Sequence, residues 1–220
     1  MTDAPEIVLC ECFARDGLQH EPDIVPTEAK AAMLEQIAES GFRRIEITSF
    51  GHPKYLPQFA DAEAVLRAVP PRPGVLFKAT CPNPAAVRRA RAAREAGRGP
   101  EEISFLVSAS EGHTLRNLKR TRAEQWRNVA EMAALAGGDF VEVGTISVAF
   151  DCPFDGPIPA ERVIEDARRF SAPLAADSVH QGAALEVKPL DWGHFYERCA
   201  TGPGAPLVVL LDRVTDPHNV

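Results

Sequence analysis

A chain of 220 residues, 45% hydrophobic and 25% charged, has the makeup of an ordinary globular protein and the length to bury a large core. Its formal net charge of −7 argues against nucleic acid as a partner, since phosphate binding asks for a cationic face. No apolar run reaches the roughly 20 residues of a membrane-spanning helix, and the acidic start "MTDAPE" lacks signal-peptide character, so the expected setting is cytoplasmic with no membrane partner.

The first strand is expected over 6–12, "EIVLCEC", leading into the turn "ARDGLQHE". Cys10 and Cys12 fall on one face of that strand by its period of two and read as small buried thiols. A helix over 27–40 follows, with Thr27 as its cap, Met33, Leu34, Ile37 and Ala38 as its apolar stripe, and Gly41 just past its end. Strands over 43–48, 75–80, 102–108 and 140–148 then alternate with helices over 58–69, 83–96, 121–136 and 159–170. The basic run "RRARAAR" at 88–94 reads as a solvated helix face, and "SASEGHTLRN" and "CPFDGPIP" read as loops after strands four and five. The five cysteines (Cys10, Cys12, Cys81, Cys152, Cys199) form no C-x-x-C pair and fit a reduced compartment.

Strands alternating with helices predict parallel pairing through right-handed crossovers. With neither G-x-G-x-x-G nor a Walker-type loop after any strand, dinucleotide and P-loop chemistry have no support. The polar residues collect elsewhere. Arg15 and Asp16 follow strand one, Glu46 lies near the end of strand two, Ser108 and Glu111 follow strand four, and Asp151 and Cys152 follow strand five. Those C-terminal strand ends form the active face of a (β/α)₈ barrel. Only about five of the eight units are visible, so the expected fold is α/β: an incomplete TIM-type barrel over 1–170 with a short non-barrel tail over 171–220. An open sheet of this kind leaves edges that a closed barrel hides, and self-association is expected.

The motifs "ARDGLQHE", "RRIEITSFGHPKYLPQFAD", "SASEGHTLRNLKR" and "FDCPFDGPIP" occur in one order, and from about residue 6 to 170 the chain resembles the N-terminal part of the 3-hydroxy-3-methylglutaryl-CoA lyases. The resemblance implies metal-dependent cleavage of a 3-hydroxyacyl-CoA into acetyl-CoA and a 3-keto acid, with Mg²⁺ or Mn²⁺ as cofactor and an acyl-CoA as substrate. It implies that Asp16 is a metal ligand, that Arg15 steadies the thioester oxygen as it becomes an enolate, and that Glu46 orients Arg15 or a metal-bound water. Gln19, Ser108, Glu111 and Asn117 would lie around the substrate. Bland readings stand beside these: a turn with a surface ion pair for Arg15 and Asp16, an ion pair for Glu46, loop capping for Glu111 and Asn117, and a structural thiol for Cys152.

The family also uses an H-x-H pair and a glycine-rich cysteine loop. No two of the six histidines are so spaced and that loop is missing, so the chain is expected to be catalytically incomplete. Residues 171–220, with "SVHQGAALEVKPL" and "PLVVLLDRVTDPHNV", resemble the linker and first strand of TrmH/SpoU-type RNA 2′-O-ribose methyltransferases. That resemblance offers an alternative function as a methyltransferase fragment. The segment that would bind S-adenosylmethionine is missing, so no S-adenosylmethionine binding is expected. The remaining alternative is an inactive fusion of two gene pieces.

Overall fold

Alternating side chains set the sheet. In "EISFLVS", Ile103, Phe105 and Val107 all point to one face and are buried, while Glu102, Ser104 and Ser108 point to the other. The computed structural model describes residues 8–170. Five strands, β1 (Cys10–Glu11), β2 (Arg44–Ser49), β3 (Leu76–Thr80), β4 (Glu102–Ser108) and β5 (Val141–Ser147), lie side by side in chain order, each parallel to the next. A parallel sheet that never reverses its order curls as a (β/α) barrel does, so the described residues form the expected half-barrel. Helices cover its outer face, where Leu34, Ile45, Phe77, Phe105, Val129 and Met132 belong to one apolar core.

The helices are α1 (Thr27–Glu39), α2 (Ala62–Ala68), α3 (Pro84–Glu95), α4 (Glu111–Leu118), α5 (Arg122–Ala136) and α6 (Ala160–Phe170). Thr27 is not the cap of α1. Pro26, with φ −60°, already presets the helical turn, and the Thr27 hydroxyl donates instead to Asp61 Oδ2 at 2.7 Å. Gly41 sits just past α1 at φ +93°, as expected of a residue there. The run 88–94 is more than a solvated face: Arg89 pairs with Glu63 at 2.7 Å, Arg91 donates to Leu135 O, and Arg94 to Pro100 O. These arginines tie α3 to its neighbours.

Two segments read as loops are regular. Residues 111–118 form α4 because Ser110 accepts the His113 N–H at 3.0 Å as its cap and Lys119, at φ +56°, ends it. Residues 151–157 form an antiparallel pair, β6 (Asp151–Cys152) and β7 (Gly156–Pro157). The chain reaches that hairpin through Val148 at φ +48°, an unusual conformation for a β-branched residue.

Gly144 is where α6 meets the sheet. A Cβ there would lie 2.7 Å from the Phe170 ring, which itself packs at 4.9 Å between centroids on Trp126. Gly144→Ala is expected to lower stability by about 1–3 kcal/mol through overpacking, read as a drop in urea midpoint. An unchanged midpoint would mean that α6 does not pack as described.

Candidate active site

The site begins where the first strand stops. β1 ends at Glu11, one residue before the expected end, because the chain leaves the extended region at Cys12 (φ −125°, ψ 2°) and enters a single π-helical turn over Phe13–Gly17; residues 6 and 7 of the expected strand lie outside the described residues. The Cys12 carbonyl accepts the backbone N–H groups of both Arg15 and Asp16, at 3.0 and 2.7 Å. Gly17 leaves room for its neighbour: a Cβ would come within 2.6 Å of the exposed Phe13 ring, which would have to shift. The "ARDG" pattern is therefore a tight turn that aims two opposite charges over the sheet's inner face.

There they meet β2. Arg15 Nη1 lies 2.5 Å from Asp16 Oδ1, and Arg15 Nε lies 3.2 Å from Glu46 Oε1. The second contact is close enough for an ion pair but misaligned for a hydrogen bond, so the Arg15 Nε–H is unspent on any described acceptor. Glu46 is 5% exposed. Its carboxylate also takes the Lys78 ammonium at 3.2 Å and the Thr80 hydroxyl, which touches Ser104 Oγ at 3.2 Å. Strand register explains the grouping, since Glu46 stands opposite Lys78 and Thr80 opposite Ser104. An irregularity after Glu46 then shifts the β2–β3 register, a device common beside active sites.

Burial pushes the Glu46 carboxyl up, but the charges of Lys78 and Arg15 and the Thr80 hydroxyl outweigh it and hold the group below the ordinary carboxylate range. A carboxyl depressed in the folded state adds stability that is present above its unfolded value, about 4.5, and lost as pH falls through the folded value. Glu46→Gln is therefore expected to lower the urea midpoint at neutral pH, with the deficit shrinking below about pH 4.5. A deficit independent of pH would show that the charge on Glu46 is not what stabilises.

Of the residues named from sequence, Arg15, Asp16 and Glu46 converge. Gln19 is half-buried just beyond the turn. Ser108 is buried, with its Oγ accepting the Ser110 N–H and lying 3.1 Å from His113 Nδ1. Glu111 accepts the N–H of Arg122 at the start of α5, the capping role, and Asn117 is exposed on α4. Cys152 is buried against Ser110 Oγ at 2.9 Å, and Asp155 accepts from Ser110 Oγ and the Gly112 N–H, so the β6–β7 hairpin clasps the start of α4. Lys78, Thr80 and Ser104 escaped the sequence reading. Their signal was the run of polar residues at alternate positions of β3 and β4 (Lys78 and Thr80; Glu102, Ser104 and Ser108), interrupted at Leu76 and Leu106.

Asp16 is a hard oxygen donor, 43% exposed, and suits Mg²⁺ or Mn²⁺ in type. Number is another matter. Among the described residues no three His, Cys, Asp or Glu side chains group to hold a metal ion, and Glu46 is engaged by Thr80, Lys78 and Arg15. The donor set thus falls short of the roughly six oxygens such an ion takes. Nor among them is any helix long and apolar enough to cross a membrane. A recess of about 340 Å³ is lined by Leu66, Val69, Pro71, Arg94 and Arg98 among others and by none of Arg15, Asp16 or Glu46.

Known proteins resemble this chain in sequence and in fold. A mitochondrial hydroxymethylglutaryl-CoA lyase of Mus musculus is 33% identical over 165 residues, 74% of this chain and 49% of that relative. The hydroxymethylglutaryl-CoA lyase of Bacillus subtilis is 33% identical, over 72% of this chain and 52% of the relative. The solved HMG-CoA lyase of Brucella melitensis superposes with a TM-score of 0.71 at 33% identity, over 77% of this chain and 59% of that one. An A. baumannii HMG-CoA lyase, solved with coenzyme A and 3-methylmalate, also gives 0.71, at 31% identity over 76% of this chain and 53% of its own. The chain spans about half the length of the curated relatives it matches. The resemblance of residues 171–220 to TrmH/SpoU methyltransferases lies outside the described residues and gains no support from these comparisons. The HMGL-like family model matches residues 6–183, past the expected boundary at 170 and over most of the sequence, and the chain belongs to that family.

Proposed function

We propose that residues 8–170 carry the strand-one to strand-five side of a metal-dependent acyl-CoA carbon–carbon lyase site, acting on 3-hydroxy-3-methylglutaryl-CoA or a related branched 3-hydroxyacyl-CoA. The observation that carries the reading is the Arg15 guanidinium, held between Asp16 and Glu46 at the strand ends with its Nε–H unspent. Relatives described as HMG-CoA lyases, one solved with coenzyme A, support the substrate class.

The reaction breaks the bond between the carbinol carbon and the carbon next to the thioester, leaving electrons that collect on the thioester oxygen as an enolate. Arg15 offers that oxygen a fixed positive donor, which is worth more in the transition state than in the ground state. Glu46, itself fixed by Lys78 and Thr80, holds the guanidinium in place, so the charge need not reorganise as the enolate forms. A divalent cation, when bound, supplies Lewis acidity to the substrate's oxygens, with Asp16 as this chain's ligand.

The same reading gives this 220-residue chain little turnover on its own, because one carboxylate holds a divalent ion weakly and no H-x-H pair occurs in the sequence. Purified chain, Mg²⁺ and 3-hydroxy-3-methylglutaryl-CoA are expected to release acetyl-CoA no faster than buffer. Metal-dependent release that Asp16→Ala abolishes would overturn the incompleteness. On either side of β1, Leu9 and Phe13 are 66% and 55% exposed, and we place self-association at this edge. Light scattering is expected to give a mass above the monomer, and a clean monomer would count against it.

A further inference from the structure

Cys10 and Cys12 play no part in the lyase reading, yet they lie against it. The sequence suggested two buried thiols on one face of a strand. Instead both are half-buried, and the chain turns at Cys12, so that the two sulfurs approach to 3.8 Å. Cys12 S–H points at Cys10 Sγ and lies 3.6 Å from Cys10 O. Register puts Cys10 beside Arg44 and Glu11 beside Ile45, which sets Cys12 level with Glu46. The other two described cysteines, Cys81 and Cys152, are buried at 0% and 2% exposure and distant in sequence.

We propose that Cys10 and Cys12 are a peroxide-sensitive dithiol that closes to an intrachain disulfide and thereby displaces the turn bearing Arg15 and Asp16. The Cys10 thiolate attacks a peroxide oxygen, expelling hydroxide and becoming a sulfenic acid. The Cys12 thiol then attacks the Cys10 sulfur and expels water. In sum two thiols and one hydrogen peroxide give one disulfide and two waters, so the peroxide supplies the oxidising equivalents. Closing the sulfur gap from 3.8 Å to a bond of about 2.05 Å, across a loop with one residue between the cysteines, draws on a shift of the backbone at Cys12 as well as on side-chain rotation. That backbone carries the carbonyl that accepts both the Arg15 and the Asp16 N–H, so the shift passes directly into the turn.

The division of labour follows from the environment. The hydrogen bond from Cys12 holds the Cys10 thiol below its ordinary value against the effect of burial, while that bond and burial push Cys12 up. Cys10 is accordingly the attacking sulfur and Cys12 the resolving one.

The thiol chemistry stands whether or not the lyase reading does, and its test reads mass, not turnover. Both cysteines fall in one tryptic peptide, residues 1–15, and Cys199 is removed as Cys199→Ser. After one equivalent of hydrogen peroxide, denaturation and iodoacetamide, that peptide is expected to have lost two hydrogens and to take no alkyl group. A doubly alkylated peptide, or a link from it to another chain, overturns the proposal. In Cys12→Ser the reaction stops at Cys10 sulfenic acid, and a dimedone adduct is expected to rise about 10-fold over the parent. An equal adduct in both overturns the role of Cys12. In the oxidised parent, amide exchange at Arg15 and Asp16 is expected to quicken about 10-fold as their bonds to Cys12 O loosen. Unchanged exchange would overturn the coupling to the turn.

Discussion

On a barrel completed by the C-terminal part of the Bacillus subtilis relative, Arg15→Met is expected to lower kcat for 3-hydroxy-3-methylglutaryl-CoA cleavage about 10²–10³-fold. That relative is matched over 52% of its length, so roughly half of it lies outside the match and can supply the rest of a barrel. The size of the effect comes from removing a preorganised donor at the place where charge develops, and it should fall on kcat more than on KM. Methionine keeps an unbranched apolar stem but strands Asp16 and Glu46 without their shared cation. Thermal unfolding must therefore be measured beside the rate. Arg15→Lys separates the two effects: it restores charge without the planar fork, and should recover stability but only part of the rate. Near-wild-type kcat in Arg15→Met would end the assignment of Arg15 to the enolate oxygen and leave it an ion-pair partner only.

How much of this could be read from the chain depended on the range of the interaction. The five strands and the helices α1, α3, α5 and α6 lay close to their expected places, because apolar period and turn residues are local signals. Helix α4 was missed since its start is set by Ser110, which the distant Asp155 holds at 2.6 Å, and by an end at Lys119 that no glycine marks. The end of β1 was set one residue late because "VLCEC" keeps strand propensity up to Cys12, while the competing pull, two amide donors folding back on the Cys12 carbonyl, belongs to the turn beyond it. At the site, Arg15, Asp16 and Glu46 were legible through their motif. Lys78, Thr80 and Ser104 were not, since only strand register brings them to Glu46. The geometry shows Glu46 in an ion pair with Arg15, the bland reading, and the orienting role proposed for it rests on that same contact.

Below that cluster the inner face holds a second ion pair, and breaking it is expected to produce the largest loss of stability. Arg44 on β2 reaches across β3 to Glu102 on β4, with Nη2 and Nε at 2.5 and 3.1 Å from one carboxylate oxygen. Both are buried, at 8% and 1% exposure. Glu102→Met leaves the Arg44 guanidinium without its carboxylate in a place water does not readily enter, and should cost about 3–5 kcal/mol. Against the 5–15 kcal/mol that holds a typical domain together, such a loss could consume most of the margin. The cost lies in the stranded charge, not in the missing attraction, and that distinction is testable. Arg44→Met/Glu102→Met removes both charges and fills the space with apolar atoms, so it should regain most of what either single change loses. Urea midpoints for the two singles and the double close the cycle. If the double falls by the sum of the singles, Arg44 and Glu102 do not act as a pair, and register alone holds β2 and β4 in place across β3. If it recovers, this buried pair adds little net stability, and its role is to fix which inward residues face one another, with Lys78, paired in register with both Glu46 and Glu102, set between them.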